Sequence, residues 1–335
     1  MVDNGGMAMD VLSDVLRAVS MSGAFFFHAT NYAPWVCGEP VAVDIGRRVM
    51  PDADFVVAFH VIMSGGCWVE TIGEEPDHIR LDEGDIVVLP KGDAHFMMSA
   101  PGMRKIVNSA EFDPPPGRRQ ALRYVVNGDL GGEVDCRFIC GFMGCKTRPF
   151  NPLLDALPRM FCAKGSAQSR QLLASLAEAG VAESERDGAG GSAMLARLAD
   201  LMFVEVLRQQ IALLPDDSRG WLSGLRDRHI GNALRLMHEE PAADWTLELL
   251  AQRVGLSRST FAERFVEYVG MPAIQYLAQW RMTLATKLLE DDEFSIAQAG
   301  AEVGYESEAA FNRAFKKYVG TAPGAWRRAH LIAAE

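Results

Sequence analysis

At 335 residues the chain is long enough for two or three domains, and with 49% hydrophobic and 23% charged residues it has the composition of an ordinary globular protein rather than a fibrous or disordered one. It opens without a basic stretch followed by an apolar run, and no uninterrupted apolar run reaches membrane-spanning length. That argues against a signal peptide or a spanning helix and for the cytoplasm, where the six cysteines are expected as thiols. The net charge of −11 argues against broad, charge-driven nucleic-acid binding, but the charge is uneven: residues 221–335 carry 13 Lys+Arg against 15 Asp+Glu, and the first 220 residues carry 20 against 29.

Residues 1–24 read as a short amphipathic helix, with Val11, Leu12, Val15, Leu16 and Val19 as its apolar side. From Ala24 to Asn108 the texture changes to short apolar runs broken by Gly, Pro and Asp, among them Phe55–Met63, Cys67–Ile72, Ile86–Leu89 and Met103–Val107. Many short strands with frequent turn signals predict a β-sandwich or small barrel. Within it stands Gly84-Asp-Ile-Val-Val-Leu-Pro90-Lys-Gly92-Asp-Ala-His95. This segment resembles the second cupin motif, Gly-x5-Pro-x-Gly-x2-His-x3-Asn, with Ser99 where the family has Asn. The resemblance covers roughly residues 25–110 and implies a cupin-like barrel with His95 at the family's metal-ligand position. The first cupin motif would supply two His and a Glu. Placing its Gly at Gly65 puts Ala58 at the Glu position and Asp52 and Asp54 at the His positions, so the usual metal set is largely missing.

His60 lies two residues from Ala58 and shares its strand parity, so it should point into the barrel. Two inward histidines, His60 and His95, with Cys67 or Cys140 nearby are candidate ligands for Zn²⁺ or another divalent metal. A polar pocket, or histidines hydrogen-bonded in the core, is the plainer reading. Cys136, Cys140 and Cys145 lie in a segment that reads as the last strand or two of the barrel; they are candidate redox sensors, against a buried and inert alternative. Pro114–Pro116 reads as a stiff loop, and Asn151–Pro158 as an exit turn.

Two helices are predicted next, near Ser166–Ala179 and Ser192–Leu214, with a Gly-rich loop, Asp187–Gly191, between them. In the second, Leu195, Leu198, Met202, Val206 and Gln209 form a stripe at helical spacing, read as a self-association face ahead of simple packing on the barrel. Pro215–Gly220 is the best linker. The expected division is a regulatory barrel over 1–165, a helical hairpin with linker over 166–220, and a last domain over 221–335 that begins with a helix at about Asp227–Glu239.

The last domain holds one pattern twice. Ala251, Ser257, Phe261, Phe265, Tyr268 and Gly270 recur 50 residues on as Ala301, Ser307, Phe311, Phe315, Tyr318 and Gly320. A repeat of this kind is one supersecondary unit built twice. In each copy a Gly ends a first helix, a Ser fits the N-cap of a second, and the Phe pair at i, i+4 packs inward. Two helices joined by a short Gly-containing turn are a helix-turn-helix, whose second helix enters the DNA major groove. Pro272–Asp292 joins the copies, and as a helix of about 30 Å it nearly spans the ~34 Å between successive major grooves.

Residues 228–330 resemble the DNA-binding domain of the AraC/XylS family of bacterial transcription regulators. The resemblance rests on both half-motifs, on Trp280-Arg281-Met282, on Val303-Gly304-Tyr305-Glu306-Ser307, on Phe311-Asn-Arg-Ala-Phe-Lys316 and on Pro323-x2-Trp326-Arg327. The His60–Trp68 run and the Cys140-Gly pair resemble the cupin-type sensor domain of a subset of that family. By position, Ser259, Ala262 and Glu263 would face bases in the first unit, and Glu308, Ala309, Ala310 and Arg313 in the second. Arg258, Arg264, Lys316 and Lys317 are phosphate candidates, and an intradomain ion pair is expected for Arg281. The expected fold is thus α+β and multidomain: a cupin-like β-barrel with a helical hairpin, then an all-α double helix-turn-helix domain. The expected function is a non-enzymatic, sequence-specific transcription regulator, a cytoplasmic homodimer acting on promoter DNA and RNA polymerase. Its barrel would sense a small molecule, metal or redox signal, with a cupin metalloenzyme or a purely structural dimerisation module as the alternatives.

Overall fold

The computed structural model describes residues 7–18, 20–50, 53, 55–105, 123–127, 132–146, 150–186, 189–290 and 293–332. Asp52, Asp54 and Pro114–Pro116 lie outside the described residues, as do Val19 and part of the Asp187–Gly191 loop. The chain forms two units. One comprises Ser20–Lys146 with Leu157–Leu213; the other comprises Met1–Val19, Thr147–Ala156 and Leu214–Glu335. Met1–Val19 and Thr147–Ala156, expected with the barrel, group with the C-terminal helices.

The first unit is a nearly closed, barrel-like sheet covered on one side by helices, with a short helix α2 (Ala42–Val49) between its second and third strands. Its strands are β1 (Ser20–Asn31), β2 (Val36–Glu39), β3 (Phe55–Thr71), β4 (His78–Asp82), β5 (Ile86–Leu89), β6 (His95–Met98), β7 (Arg123–Val126), β8 (Cys136–Lys146) and β9 (Phe161–Ala163). The main path runs β2-β6-β3-β8-β1-β7, with β4 and β5 also on β3 and β9 on β5. The two runs expected at Phe55–Met63 and Cys67–Ile72 are halves of one long strand. Its first half pairs with β8 and β5, and its second half with β4 and β6. The register shifts between Ile62 and Ser64, and Gly65 takes φ 77° beside the Asp135 carbonyl, where a Cβ would sit 2.1 Å from that oxygen. This bulge lets one strand serve two sides of the barrel. β8 is not a closing edge: it runs between β1 and β3.

Both faces of the central strands are buried, so they read as continuous apolar runs rather than alternating ones. Val56, Ala58 and Ile62 join the interior with Phe25, Phe27, Trp35, Phe138 and Phe142. On the other face Phe59 meets Met202, Phe203 and Val206. These belong to α5 (Gly191–Leu213), which with α4 (Ala167–Ser184) forms the predicted hairpin. The Leu195, Leu198, Met202, Val206 and Gln209 stripe is buried. It is spent on the barrel rather than on self-association, because β5 and the outer face of β3 need an apolar cover. In α4, Gly180 lies on Phe26, where a Cβ would come within 2.8 Å of the ring.

The second unit is helical. Its N-terminal helix α1 (Met7–Ala18) buries Val11, Leu12 and Val15. The expected exit turn is instead a short helix, α3 (Pro152–Ala156). Next come α6 (Trp221–Arg226) and α7 (Arg228–Glu239), where Asp227 caps α7 by accepting from the His229 and Ile230 N–H groups. The double motif follows as α8 (Leu247–Val254) with α9 (Arg258–Val269), and as α11 (Ile296–Glu302) with α12 (Glu308–Val319). They are joined by α10 (Ala273–Leu289) and closed by α13 (Pro323–Ile332).

Candidate DNA-reading helices and a buried polar cluster

The two helix-turn-helix units repeat in detail. α9 and α12 are offset by 50 residues, and each is capped by a serine: Ser257 accepts from the Thr260 N–H and Ser307 from the Ala310 N–H. Each ends on a left-handed glycine, Gly270 at φ 78° and Gly320 at φ 87°, the backbone region where glycine carries no Cβ penalty. The phenylalanine pairs are nearly superposable: Phe261–Phe265 ring centroids lie 5.6 Å apart at 64°, and Phe311–Phe315 5.5 Å apart at 63°. All four rings are fully buried. Burying each contributes about 1.5–3 kcal/mol, which fixes which faces of α9 and α12 remain outside.

On those outer faces Ser259 and Glu263 of α9, and Glu308, Ala309 and Arg313 of α12, are exposed; Ala262 and Ala310 are partly buried. Among the phosphate candidates, Lys316 and Lys317 are exposed in the last turn of α12, where cations also complement the helix dipole. Arg258 is exposed but pairs with Glu248 at 2.7 Å. Arg264 is engaged more fully: its guanidinium grips the Asp227 carboxylate with two nitrogens and lies over the Tyr268 ring. Burial alone would raise the Asp227 carboxyl, but the Arg264 hydrogen bonds and the two backbone donors bring it below its ordinary value. Arg281 is intradomain as expected, though not as an ion pair. It donates to the carbonyls of Pro241 at 2.6 Å and Ala243 at 2.8 Å, holding the turn before α8.

The barrel interior carries a second site. Two cross-strand pairs build it: β2 sets Glu39 opposite His95 of β6, and β3 sets His60 opposite Cys140 of β8. All four residues are buried. His60 Nε2 lies 2.7 Å from His95 Nε2; Glu39 Oε2 lies 3.5 Å from His95 Nε2 and 3.7 Å from His60 Nε2. His60 Nδ1 is 3.1 Å from Cys140 Sγ, which is 3.4 Å from Glu39 Oε1. His95 Nδ1 is 2.9 Å from the Asp93 carbonyl. Glu39 Oε2 has no hydrogen-bond partner. Burial raises the Glu39 carboxyl to about 8, lowers His95 to about 4, and pushes His60 well below its ordinary range, with His95 adding to the effect. The Glu39–imidazole contacts are therefore not ion pairs at neutral pH, since burial keeps both rings uncharged.

His60, His95 and Cys140 are thus brought together as candidate metal-binding residues, and Cys67 is elsewhere. Cys67 lies in the interior with its thiol against Cys136. Glu39 was not foreseen. A glutamate was sought at Ala58, within one motif, whereas Glu39 reaches the site only through β2–β6 pairing. The one sequence hint is that Glu39 shares strand parity with the buried Cys37. Two imidazoles and a carboxylate with an unpartnered buried oxygen are a donor set that fits a divalent metal. The redox candidates Cys136, Cys140 and Cys145 are all buried thiols. Burial pushes Cys140 well up and Cys145 to about 12, which keeps these two protonated and poorly nucleophilic. Ser99, at the cupin Asn position, bridges to Trp35, accepting from its N–H at 3.1 Å.

A barrel with a polar core, joined to paired helix-turn-helix units, defines a DNA-binding transcription regulator with an N-terminal cupin domain. Residues 10–212 match the cupin family and residues 250–329 match a helix-turn-helix domain family. An AraC-like transcription regulator of Streptomyces lividans is 31% identical over 278 residues, 83% of this chain and 88% of that one. The HTH-type transcriptional regulator AlkR of Acinetobacter baylyi is 31% identical over 335 residues, 96% of this chain and 99% of that one. The chain belongs to the AraC family of transcription regulators, in the group that carries an N-terminal cupin domain.

Proposed function

We propose that the chain is a cytoplasmic homodimer that recruits or blocks RNA polymerase at a specific operator, its barrel controlling the DNA-binding helices rather than catalysing a reaction. The observation that carries the operator reading is the paired construction of α9 and α12 with unlike outer faces. Ser259, Ala262 and Glu263 face bases in one major groove, and Glu308, Ala309, Ala310 and Arg313 in the next. Glu263 selects cytosine through its N4 amino group, and Arg313 selects guanine through O6 and N7. Lys316, Lys317 and Arg258 hold phosphates; Arg264 contributes to phosphate binding only if it leaves Asp227. The second copy docks through side chains left exposed on the helical hairpin, among them Leu172, Met194 and Leu201. Of the small-molecule, redox and metal signals open to the barrel, a metal is favoured by the buried Glu39, His60 and His95 cluster.

The test is selection of preferred sites from random duplex DNA by the full-length protein, repeated with Arg313→Ala. The variant should lose preference at one base position, costing about 1–3 kcal/mol there, while the rest of the site is kept. An unchanged selected site would remove Arg313 from the reading surface.

A further inference from the structure

The outer face of α9 holds an apolar side chain among its polar ones. Val266 stands seven residues after Ser259, four after Ala262 and three after Glu263, the spacings that place helical residues on one face. The buried Phe261, Phe265 and Tyr268 take the opposite side. Val266 is 43% exposed, and among the described residues it is the one large exposed apolar side chain on either α9 or α12. A lone exposed valine is ordinary on a protein surface. This one stands in the middle of the face that a helix-turn-helix turns toward DNA.

The same place in the second unit, 50 residues on, is Lys316. A four-carbon stem lets Lys316 swing its ammonium out to the phosphates that flank the groove. Valine ends at its two methyls, so it touches only what lies directly opposite the helix. The basic residues of α9 are Arg258 and Arg264, and both are committed, Arg258 to Glu248 at 2.7 Å and Arg264 to Asp227. The carboxylate beside Val266, that of Glu267, is neutralised by Arg219 at 2.5 Å. With little phosphate attraction left to it, α9 depends on short-range contact in the groove. The apolar group that the major groove presents is the 5-methyl of thymine; the other base edges there are polar.

We infer that Val266, with Ala262 beside it, packs against the 5-methyl of a thymine in the half-site read by α9, and is thus a specificity-determining residue of the first unit. The inference rests on the operator reading above and deepens it by naming one base. At about 1.5 Å per residue, Val266 lies about 10 Å along the helix from Ser259, the rise of about three base pairs. The thymine therefore stands about three base pairs from the one that Ser259 faces, and about one or two from the cytosine that Glu263 selects. Burying one methyl group raises affinity about 4-fold, enough to set a preference at one position.

The test uses the full-length protein on its selected duplex, with Glu263→Ala marking the half-site that α9 reads. Each thymine of that half-site is replaced singly by uracil, which pairs alike and lacks only the 5-methyl. Affinities of wild type and of Val266→Ala are measured by fluorescence anisotropy at one salt concentration. Wild type should lose about 4-fold at one replacement and keep its affinity at the others. Val266→Ala should bind the thymine duplex as weakly as wild type binds the uracil one and should not distinguish the two, which is the coupling a double-mutant cycle reads. Alanine is the strongest helix former and the site is exposed, so the variant keeps its fold. A half-site without thymine, a wild type indifferent to every replacement, or the same loss in wild type and variant overturns the inference. So does a variant weakened to the same degree on the thymine and uracil duplexes, which would set Val266 against something other than the methyl. Failure of the protein to select any sequence, or of Glu263→Ala to alter a half-site, overturns the operator reading instead.

Discussion

Two cations expected to hold phosphates are engaged by the protein itself, Arg258 by Glu248 and Arg264 by Asp227. Asp227 is both the N-cap of α7 and the partner of Arg264. Asp227→Ala should destabilise the C-terminal unit by at least ~1 kcal/mol, the ordinary value of a cap, measured by chemical denaturation. Because the Asp227 carboxyl is held below its ordinary value, its contribution is complete above the unfolded pKa and is lost as pH falls through the lower, folded one. The variant's stability deficit should therefore shrink in acid, and a deficit constant down to pH 2 would contradict the pairing. Motif spacing identified these positions but could not show which cations were already taken, because Arg264 and Asp227 are 37 residues apart in sequence. Glu39 was illegible for the same reason. A ligand delivered by strand pairing leaves no spacing signature, whereas His60 followed from strand parity and His95 from its motif.

At the scale of elements, the repeat was legible in full, because caps, terminal glycines and i, i+4 phenylalanines act within one turn or two of helix. The barrel was legible as many short strands, but not in its order. Gly141 shows why. It follows Cys140 in β8, and a Cβ there would lie 1.8 Å from the Phe59 ring. The glycine lets β8 run flat beneath that ring, a demand set by tertiary contact alone. Gly141→Ala should cost about 1–3 kcal/mol by overpacking, read as a lowered denaturation midpoint of the barrel unit. The apolar stripe of α5 was likewise correctly found, yet its partner was not. Periodicity reports that a face is buried, not whether it meets a sheet or a second copy.

The whole chain divides differently from its linear order, since α1 belongs with the helical unit. It packs on α7 through Val11, Leu12 and Val15, and Asp14 lies 3.7 Å from His238 Nδ1. His238 is buried, stacked on Trp280 at 4.0 Å, with Nε2 2.9 Å from the Tyr276 hydroxyl. Leu12→Ala should therefore destabilise the DNA-binding unit, by about 2–5 kcal/mol, although it lies more than 200 residues before it. Burial lowers the His238 pKa, with Asp14 opposing only in part. The folded state binds its proton less readily than the unfolded one, so stability is complete above pH 6.5 and declines as pH falls below it. His238→Gln should flatten that slope in a pH series of melts; an unchanged slope would assign it elsewhere.

The central claim is that one protomer reads two unlike half-sites through α9 and α12. Footprinting of the full-length protein on its selected DNA tests it most directly. The account predicts, for each protomer, two protected half-sites of different sequence about one helical turn apart on the same face of the duplex, with Glu263→Ala altering one and Arg313→Ala the other. A single half-site per protomer, or two identical ones both altered by either substitution, would contradict it.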